Sequence, residues 1–358
     1  MKVATRLLSL VAFIFMWPLS CLWEAVYRFR RFAFNYGIFA RKTFGVPVVS
    51  VGNLTFGGAG KTPFILWLGQ YLSELDHKVV VLMRGYKGKF EHGHGLLQGG
   101  RQIGFNPEDF GDEALLLGRR LPRSSVIVGK NRSENLERYF ESEKPDVVLL
   151  DDGHQHLKLN RNFNIVLFDA LLPLEKYRVA PVGYLREGLT ALRDAQAIVL
   201  SRADQVSREK IEAIKNKIRP YTQPTVLWGE VVLKPSALFN GDYQKVMELS
   251  DLKGKKVIAF AGVASPRSFF NLIESFGAQI VERRIFPDHH DFRAEEVDAI
   301  LQVARKNSLL VLTTEKDIVK LRRVSADREI LFVEVDLEFT FGEEEIKQGI
   351  QTALKNRR

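Results

Sequence analysis

From about residue 45 onward, short apolar runs alternate along the chain with stretches whose apolar residues recur at helical spacing. The apolar runs predict strands at 46–51, 78–83, 125–128, 147–151, 164–169 and 197–201. The stretches between them predict helices at 62–75, 113–121, 133–141 and 208–218. This alternation is typical of an α/β fold, in which helices cover both faces of a mostly parallel sheet. In such sheets, ligands bind at the carboxyl ends of the strands.

The second half of the chain has a different pattern. Residues 224–241 alternate apolar and polar positions without a following helix, which predicts a β-ribbon. A second, shorter alternation then begins, with strands at 256–261, 279–285 and 309–312 and helices that start near residues 266 and 294. The late run "EILFVEVDLEF" (329–339) is predicted to pair with the ribbon, and the last helix to return to the first domain.

These patterns predict five regions along the chain. A hydrophobic and basic helical segment that associates with a membrane occupies 1–42, and a core domain occupies 43–223. A β-ribbon linker follows at 224–253, and a smaller α/β domain follows at 254–328. A return strand and a C-terminal helix form residues 329–358.

The N-terminal region contains a run without charge, Leu7–Trp23. As a helix it would reach about 26 Å, slightly less than the ~30 Å hydrocarbon core of a bilayer, and Pro18 is expected to break or kink it. A secretory signal is not favoured, because no small residues stand at a suitable cleavage site. The stretch 24–42 adds five basic residues, one acid and interleaved aromatic side chains. A helix lying in the membrane interface fits best, and a spanning anchor or a buried helix of the fold are the alternatives.

The overall charge favours anionic partners. The chain has 52 Lys and Arg against 43 Asp and Glu, which gives a net charge of +9. Anionic lipid, a phosphorylated substrate and nucleic acid are partners of this kind, and a solvated basic surface is the alternative. Nucleic acid is not expected, because the basic residues cluster beside the apolar run and no nucleic-acid motif is present. The single cysteine, Cys21, excludes an internal disulfide and a cysteine-rich zinc site.

The sequence "VGNLTFGGAGKTP" (Val51–Pro63) joins an apolar strand end, a glycine-rich turn and a Lys-Thr pair that opens a helix. In a P-loop, backbone N–H groups of such a turn bind phosphate oxygens, the Lys reaches the β/γ-phosphates and the Thr ligates Mg²⁺. The residues predicted to bind nucleotide are Thr55, Phe56, Gly57, Gly58, Ala59, Gly60, Lys61 and Thr62. Thr55 stands where the usual first glycine would be. The core is therefore predicted to be a P-loop NTPase-like domain.

Carboxylates follow a second apolar run, "DVVLLDDG" (Asp146–Gly153). A buried strand that ends in acid suits delivery of a carboxylate to the metal of a P-loop site. Asp151 and Asp152 point to opposite faces of an extended chain, so one of them can meet metal while the other has a different role. The residues themselves do not decide which of the two it is.

Two further motifs carry acidic and histidine residues. "FGDEA" places Asp112 at a predicted helix start, where helix capping is the alternative to a catalytic role. "FPDHHDF" (Phe286–Phe292) lacks the fixed ligand spacing of a zinc site. A loop that brings a His–Asp pair to a shared cleft is favoured for it.

These motifs together resemble a known family, the tetraacyldisaccharide 4'-kinases, which are the lipid A 4'-kinases of Gram-negative bacteria. The resemblance covers the apolar N-terminus, the glycine-rich turn with its Thr55, and further motifs in family order. Those motifs are RGYKG (84–88), GDEA (111–114), GKNR (129–132), DDGHQH (151–156), PVGYLREGL (181–189), AGVASPRSFF (261–270), FPDHH (286–290) and TTEKD (313–317). The chain departs from the family at His154, which is usually Phe, at Gly188, which is usually Pro, and at Arg267, which is displaced by one position.

The resemblance implies a reaction. ATP and Mg²⁺ would serve the phosphorylation of the 4'-hydroxyl of an acylated disaccharide 1-phosphate, a lipid A precursor, at the cytoplasmic face of the inner membrane. The protein would be peripheral or monotopic there, without an obligate protein partner. The lipid acceptor would account for the apolar segment, and its phosphate for the positive charge.

The resemblance also implies roles for particular residues. Asp112 and a histidine of "DHH", most plausibly His289, would form the catalytic pair, which closure of the two domains would assemble. The implied metal ligands are Thr62, Asp151, Asp152 and Glu187. The implied substrate-binding residues are Arg84, Lys130, Arg132, Gln155, His156 and Arg186. A membrane-associated P-loop ATPase that acts as a nucleotide switch is the rival hypothesis, and it would not need Asp112 and His289 to meet.

Overall fold

The computed structural model describes residues 2–100, 106–263, 265–321 and 329–356, with side chains from residue 15 onward. Residue 1 and residues 357–358 of the predicted terminal regions therefore lie outside the described residues. So do residues 101–105 of the predicted core domain and residues 264 and 322–328 of the smaller one.

The strands agree with the predicted positions to within three residues, and two short ones are added. They are β1 (Val48–Asn53), β2 (Val79–Met83), β3 (Gly95–Gln98), β4 (Ser125–Val128), β5 (Val147–Asp151), β6 (Phe163–Asp169), β7 (Ala197–Ser201), β8 (Leu227–Asn240), β9 (Lys245–Glu248), β10 (Lys256–Ala261), β11 (Gln279–Ile285), β12 (Leu310–Thr314) and β13 (Ile330–Phe341). The two unpredicted strands are β3, which pairs antiparallel with β4, and β9, which pairs antiparallel with β8. Neither of them is a continuous apolar run, since β3 reads GLLQ and β9 reads KVME, whereas the four-residue strand β4 reads SVIV.

The helices follow the predicted alternation. They are α1 (Lys2–Asn35), α2 (Lys61–Glu74), α3 (Pro107–Phe110), α4 (Asp112–Arg120), α5 (Arg132–Glu143), α6 (Arg208–Ile218), α7 (Pro266–Ser275), α8 (Ala294–Asn307), α9 (Glu315–Leu321) and α10 (Glu343–Lys355). The short helices α3 and α9 were not predicted from the sequence.

All described strands belong to one sheet. Its order is β11-β10-β12-β13-β8-β7-β6-β1-β5-β2-β4-β3, with β9 beside β8. Neighbours are parallel except for β3 with β4, β8 with β9, and the long pair β8 and β13. That long pair joins the two halves of the sheet and confirms the predicted pairing of the ribbon with the late strand. The division into five regions stays a prediction, because one continuous sheet runs through them.

Apolar side chains cover both faces of the sheet. On one face, Val49 and Val51 of β1 lie in a buried cluster with Phe64 of α2 and Ile346 of α10. On the other face, Val48 of β1 lies in a separate buried cluster with Leu136 of α5. Alternating residues of one strand thus pack against helices on opposite sides, which confirms the predicted α/β class.

Helix α1 passes through Pro18 without ending, so the proline does not break the helix, and the alternative of a kink stays a prediction. Side chains beyond the proline attach α1 to the core: the Ser20 hydroxyl donates to the carbonyl of Val179, and the Trp23 indole N–H donates to the carbonyl of Arg186. These tertiary contacts compensate for the hydrogen bond that a proline removes from a helix. Among the helices that the structure describes, none is long and apolar enough to cross a membrane.

Candidate active site

The glycine-rich turn connects the end of β1 at Asn53 to the start of α2 at Lys61. Gly57 and Gly60 have φ angles of 96° and 80°, in the region that favours glycine. No described atom lies within 4 Å of a Cβ built on Gly57 or Gly58, so the space above the turn is open. The first N–H groups of α2 have no partner within the helix and form an anion-binding end. This geometry matches the predicted phosphate cradle.

Asn53 holds the turn and the lysine together. Its side-chain nitrogen donates to the carbonyl of Thr55 at 2.8 Å, and its side-chain oxygen accepts from Lys61 Nζ at 3.1 Å. Asn53 is fully buried. The sequence analysis did not single it out, although a polar side chain at the end of an apolar strand was a signal that it has a structural partner.

The segment around Arg186 flanks the turn. The amide of Phe56 donates to the carbonyl of Tyr184 at 2.8 Å, and the amide of Arg186 donates to the carbonyl of Leu54 at 2.6 Å. The Arg186 guanidinium lies over the Phe56 ring and donates to both carboxylate oxygens of Asp152, at 2.9 and 3.1 Å. Arg186 is thus placed beside the turn, as its predicted role requires.

The neighbouring acids Asp151 and Asp152 are in different electrostatic environments. Asp152 Oδ1 lies 3.4 Å from Lys61 Nζ. Burial alone would raise the pKa of Asp152, but the charges of Lys61 and Arg186 outweigh it, so the pKa of Asp152 is lowered. Burial raises the pKa of Asp151 to about 6 despite Lys61. Asp151 Oδ1 is buried and has no hydrogen-bond partner within the described residues. A cation would satisfy such a buried, unpaired carboxylate oxygen. The residues therefore favour Asp151 over Asp152 as the ligand of a metal ion.

Glu187 does not lie with these acids. Arg31 of α1 binds its two carboxylate oxygens at 2.6 and 2.9 Å, and the buried His154 lies 3.8 Å away. The structure therefore gives no support to the prediction that Glu187 ligates metal. Within the described residues, no group of three or more His, Cys, Asp or Glu side chains is arranged as a metal site.

The predicted substrate-binding residues form two groups. Gln155 donates to the carbonyl of Asn53 at 2.9 Å, and Arg132 Nη1 lies 3.4 Å from His156 Nδ1. Burial, together with the charge of Arg132, lowers the pKa of His156 to about 3, so this imidazole is neutral. Arg84 and Lys130 belong to a second group around Glu91. The Glu91 carboxylate accepts from Arg84 Nε at 2.6 Å, and the Glu91 backbone carbonyl accepts from the Lys130 amide at 2.8 Å.

Several buried polar atoms of the first group have no hydrogen-bond partner among the described residues. They are Arg132 Nε, Gln155 Oε1, His156 Nε2 and Arg186 Nε. Buried polar atoms in proteins are nearly always paired, and an unpaired one calls for an explanation. A polar ligand would satisfy such atoms, which is consistent with the predicted substrate site.

The structure brings Asp112 and His289 together from opposite halves of the chain. Asp112 is the first residue of α4, and Gly111 occupies the cap position, so the capping alternative for Asp112 is wrong. His289 Nδ1 lies 3.1 Å from Asp112 Oδ2, and the imidazole donates because a carboxylate only accepts. The pair lines a cavity of about 170 Å³ together with Tyr86, Lys87 and Lys320.

His290 is engaged elsewhere. Its Nε2 lies 3.0 Å from Glu296 at the start of α8, and its ring stacks on Phe286. Of the two adjacent histidines, His289 is therefore the one that contacts Asp112.

The start of α4 acts electrostatically on the strand that ends at Asp151. Burial is the largest influence on the pKa of Asp151, but the charge of Glu113, the residue after Asp112, also acts to raise it. The loop that carries Tyr86 lies against the start of α4, since a Cβ on Gly111 would be 2.9 Å from the Tyr86 carbonyl. Charges at the N-terminus of α4 are thus within electrostatic range of the end of β5.

The chain is similar to known proteins along most of its length. The family model for LpxK, tetraacyldisaccharide-1-P 4'-kinase, matches residues 12–355. A tetraacyldisaccharide 4'-kinase of Syntrophotalea carbinolica is 35% identical over 353 residues, which cover 98% of this chain and 95% of the relative. One of Halothermothrix orenii is 36% identical over 304 residues, or 82% of this chain and 79% of the relative.

A solved structure is similar along nearly the whole chain. The "apo" form of LpxK from Aquifex aeolicus, crystallised in complex with ATP, has a TM-score of 0.76 and 30% sequence identity to this chain. The similarity covers 94% of this chain and 98% of the other. By the extent of the family match and of the relatives, this chain belongs to the tetraacyldisaccharide-1-P 4'-kinase family.

Proposed function

We propose that this chain transfers the γ-phosphoryl group of ATP to the 4'-hydroxyl of a tetraacyl-disaccharide 1-phosphate in lipid A biosynthesis. The observation that carries this proposal is the contact of Asp112 with His289 in a chain of this family that also has a phosphate cradle. A nucleotide switch has no need of an acid–histidine pair assembled from distant parts of the chain. Relatives named as 4'-kinases and the ATP complex of LpxK support the same function.

In this proposal the cradle binds and orients the phosphates. The N–H groups of Gly57–Thr62 and the Lys61 ammonium hold the phosphate oxygens, and Lys61 neutralises charge that develops on the transferred group. Thr62 and Asp151 would hold Mg²⁺, which supplies further charge neutralisation when bound. Asp152 keeps Lys61 in place through its 3.4 Å contact.

The acid–histidine pair acts on the acceptor. Asp112 accepts the proton of the 4'-hydroxyl as the new oxygen–phosphorus bond forms and the bond between the γ-phosphorus and the bridging oxygen of ADP breaks. His289, bonded to Asp112 through Nδ1, holds the carboxylate in position. Arg132, His156 and Arg186 would bind the anionic and hydroxyl groups of the lipid headgroup, which accounts for their unpaired polar atoms.

The test measures ATP turnover and the lipid product together. The full-length chain, ATP and Mg²⁺ are mixed with a tetraacyl-disaccharide 1-phosphate, and the product is analysed by mass spectrometry for a second phosphate. An acceptor that lacks the 4'-hydroxyl is the matched control and should give no lipid product. ATP hydrolysis at the same rate with either acceptor, without phosphorylated lipid, would favour the nucleotide switch instead.

The proposal includes attachment to the inner membrane of a Gram-negative cell through α1. Large apolar side chains of α1 are exposed on the surface: Phe15, Trp17, Leu19, Leu22, Trp23, Val26, Phe29 and Phe32. Arg28 of the same helix is exposed and can contact anionic headgroups. A helix in the interface that is also fastened to the core by Ser20 and Trp23 suits an enzyme whose substrate stays in the bilayer.

Vesicle flotation tests this attachment. The full chain should float with vesicles that contain anionic lipid, and Leu22→Asp should reduce the bound fraction. Ile285→Asp on the edge strand β11 is a matched control, because Ile285 is 62% exposed and Leu22 is 64% exposed. Equal loss with both variants would mean that α1 is not the membrane surface.

A further inference from the structure

Asp317, in the segment "TTEKD", is a fully buried carboxylate outside the catalytic pair. Its Oδ2 accepts from the Gly262 amide at 2.9 Å and from the Thr314 hydroxyl at 2.7 Å. Its Oδ1 lies 2.7 Å from Lys320 Nζ. A buried charge is tolerated only with partners of this kind, so the side chain is held in one position.

Gly262 connects this carboxylate to His289. The Gly262 amide is bound by Asp317, and the Gly262 carbonyl accepts from the His289 amide at 3.1 Å. A Cβ on Gly262 would lie 3.2 Å from both Asp317 Oδ1 and the His290 Cβ, which is tighter than usual contacts. The position therefore favours glycine, because three segments meet around its backbone.

His289 depends on such support. Its φ of 61° lies in the left-handed region, which non-glycine residues enter at a cost and keep only when their surroundings hold them. The bond from its amide to Gly262 holds the backbone, and the bond from Nδ1 to Asp112 holds the ring at 3.1 Å. The backbone conformation thus sets the direction of the imidazole.

We propose that Asp317 is a positioning residue for the reaction, which fixes Gly262 and through it the backbone of His289 and the contact of His289 with Asp112. This inference rests on the proposed kinase function only because kcat is one of the quantities that test it. Lys320 completes the arrangement: it neutralises Asp317, lies over the Phe292 ring, and lines the cavity that contains the pair.

Two substitutions separate the hydrogen bond from the charge. Asp317→Asn keeps an oxygen that can accept from Gly262, whereas Asp317→Ala removes it, and both remove the charge beside Lys320. We expect Asp317→Ala to lower kcat by about 10- to 100-fold, as small displacements of catalytic groups do, with the Kd of ATP unchanged. Asp317→Asn should keep most of the activity. Equal losses in the two variants would overturn the proposal.

A double-variant comparison tests whether the effect passes through His289. In a His289→Ala background, Asp317→Ala should cause no further loss of kcat, because residues that act as a unit are not additive. The same fold-loss in both backgrounds would mean a general structural role and would overturn the proposal. Glu230→Gln is the matched control: Glu230 is a buried carboxylate 2.7 Å from Lys215 in another part of the sheet, and its loss should lower Tm without lowering kcat.

Two further measurements keep the proposal testable if a variant fails to fold or if the wild type makes no phosphorylated lipid. Thr314→Val removes the hydroxyl that holds Asp317 and should slow turnover, while Thr314→Ser should not. In the ligand-free protein, the ¹⁵N resonance of His289 Nδ1 should shift in Asp317→Ala and not in Asp317→Asn. An unchanged resonance would refute the positioning role whatever the reaction is, whereas absent lipid product with the expected shift would refute only the proposed function.

Discussion

Residues 53–62 form the phosphate cradle almost alone, whereas Asp112 and His289 of the acid–histidine pair lie 177 positions apart. In the cradle, Asn53, the turn and Lys61 bind one another within one strand-turn-helix unit. The pair instead needs the N-terminus of α4 to meet a loop that follows β11. The geometry of the cradle therefore depends on residues that are neighbours in sequence. The geometry of the Asp112–His289 pair depends on how the two parts of the chain pack against each other.

That interface is strongly charged. Arg120 Nη1, at the end of α4, lies 3.3 Å from Glu315 Oε1 of α9. The same guanidinium also binds Glu334 and Asp336 of β13. At the other end of α4, Glu113 lies 3.2 Å from Lys316. These contacts join the helix that begins with Asp112 to the half of the sheet that carries His289. Closure of the two halves during the reaction stays a prediction, and in this structure the pair is already in contact.

The largest expected effect concerns the distant pair. Asp112→Asn should lower kcat by about 10²–10⁴-fold, the usual contribution of a general base, with little change in the Kd of ATP. His289→Ala should also be slow, and the double variant should be no slower than the worse single variant. The measurements are kcat for the three variants and the Kd of ATP. Losses that multiply would mean independent roles, and a His289 effect confined to ATP affinity would move this residue to the nucleotide site.

Lys61→Ala should lower kcat by about 10²–10³-fold, because it removes a preorganised charge from the developing charge on the phosphates. Lys234→Ala is the control, since Lys234 is an exposed lysine of β8 with a surface partner. Steady-state kinetics and circular dichroism measure activity and folding on the same samples. Normal turnover in a folded Lys61→Ala protein would contradict the assignment of the cradle.

A smaller effect is expected for Asn53, the local organiser of the cradle. Asn53→Leu removes the side-chain hydrogen bonds to the turn and to Lys61. At about 1 kcal/mol net for the turn and about 1 kcal/mol for Lys61, it should weaken ATP binding by roughly 30-fold. Asn53→Asp keeps the acceptor for Lys61 but loses the donor to Thr55. Calorimetric titration with ATP should rank wild type, Asn53→Asp and Asn53→Leu in that order. A normal affinity in Asn53→Leu would show that the turn does not need this support.

The last expected effect is on stability and concerns the interface that places the pair. Burial raises the pKa of Glu315 to about 7, because one guanidinium, Arg120, faces three carboxyl groups and does not offset their desolvation. The folded chain then binds this proton more tightly than the unfolded chain, whose glutamate has a pKa near 4.5. The stabilisation is complete below pH 4.5 and is lost as the pH rises through 7, on the order of 1–3 kcal/mol.

Chemical denaturation from pH 4.5 to 8 measures this contribution. The free energy of unfolding of the wild type should fall across this range by more than that of Glu315→Gln, which has no proton to lose at this position. Parallel curves for the two proteins would show that Glu315 is ionised throughout.

The sequence determined the elements and the cradle, because both depend on short-range physics. Apolar periodicity located the described strands other than β3 and β9 to within three residues. The glycines with Lys61 and Thr62 described a strand-turn-helix unit that forms from adjacent residues. The family resemblance supplied the roles of Asp112 and His289, and it named Glu187 as a metal ligand, where the structure shows a buried partner of Arg31.

Only the tertiary structure decided which groups meet. It separated His289 from His290, because only His289 contacts Asp112 of α4, 177 positions away, whereas His290 contacts Glu296, six positions away. It separated Asp151 from Asp152, because Lys61 and Arg186, which contact Asp152, come from other parts of the chain. It also gave distant partners to Arg31, which binds Glu187, and to Asp317, which binds Gly262, because buried polar groups must find hydrogen bonds wherever the fold provides them. Periodicity along a chain reports burial, but the choice of a polar partner depends on the three-dimensional arrangement of the backbone.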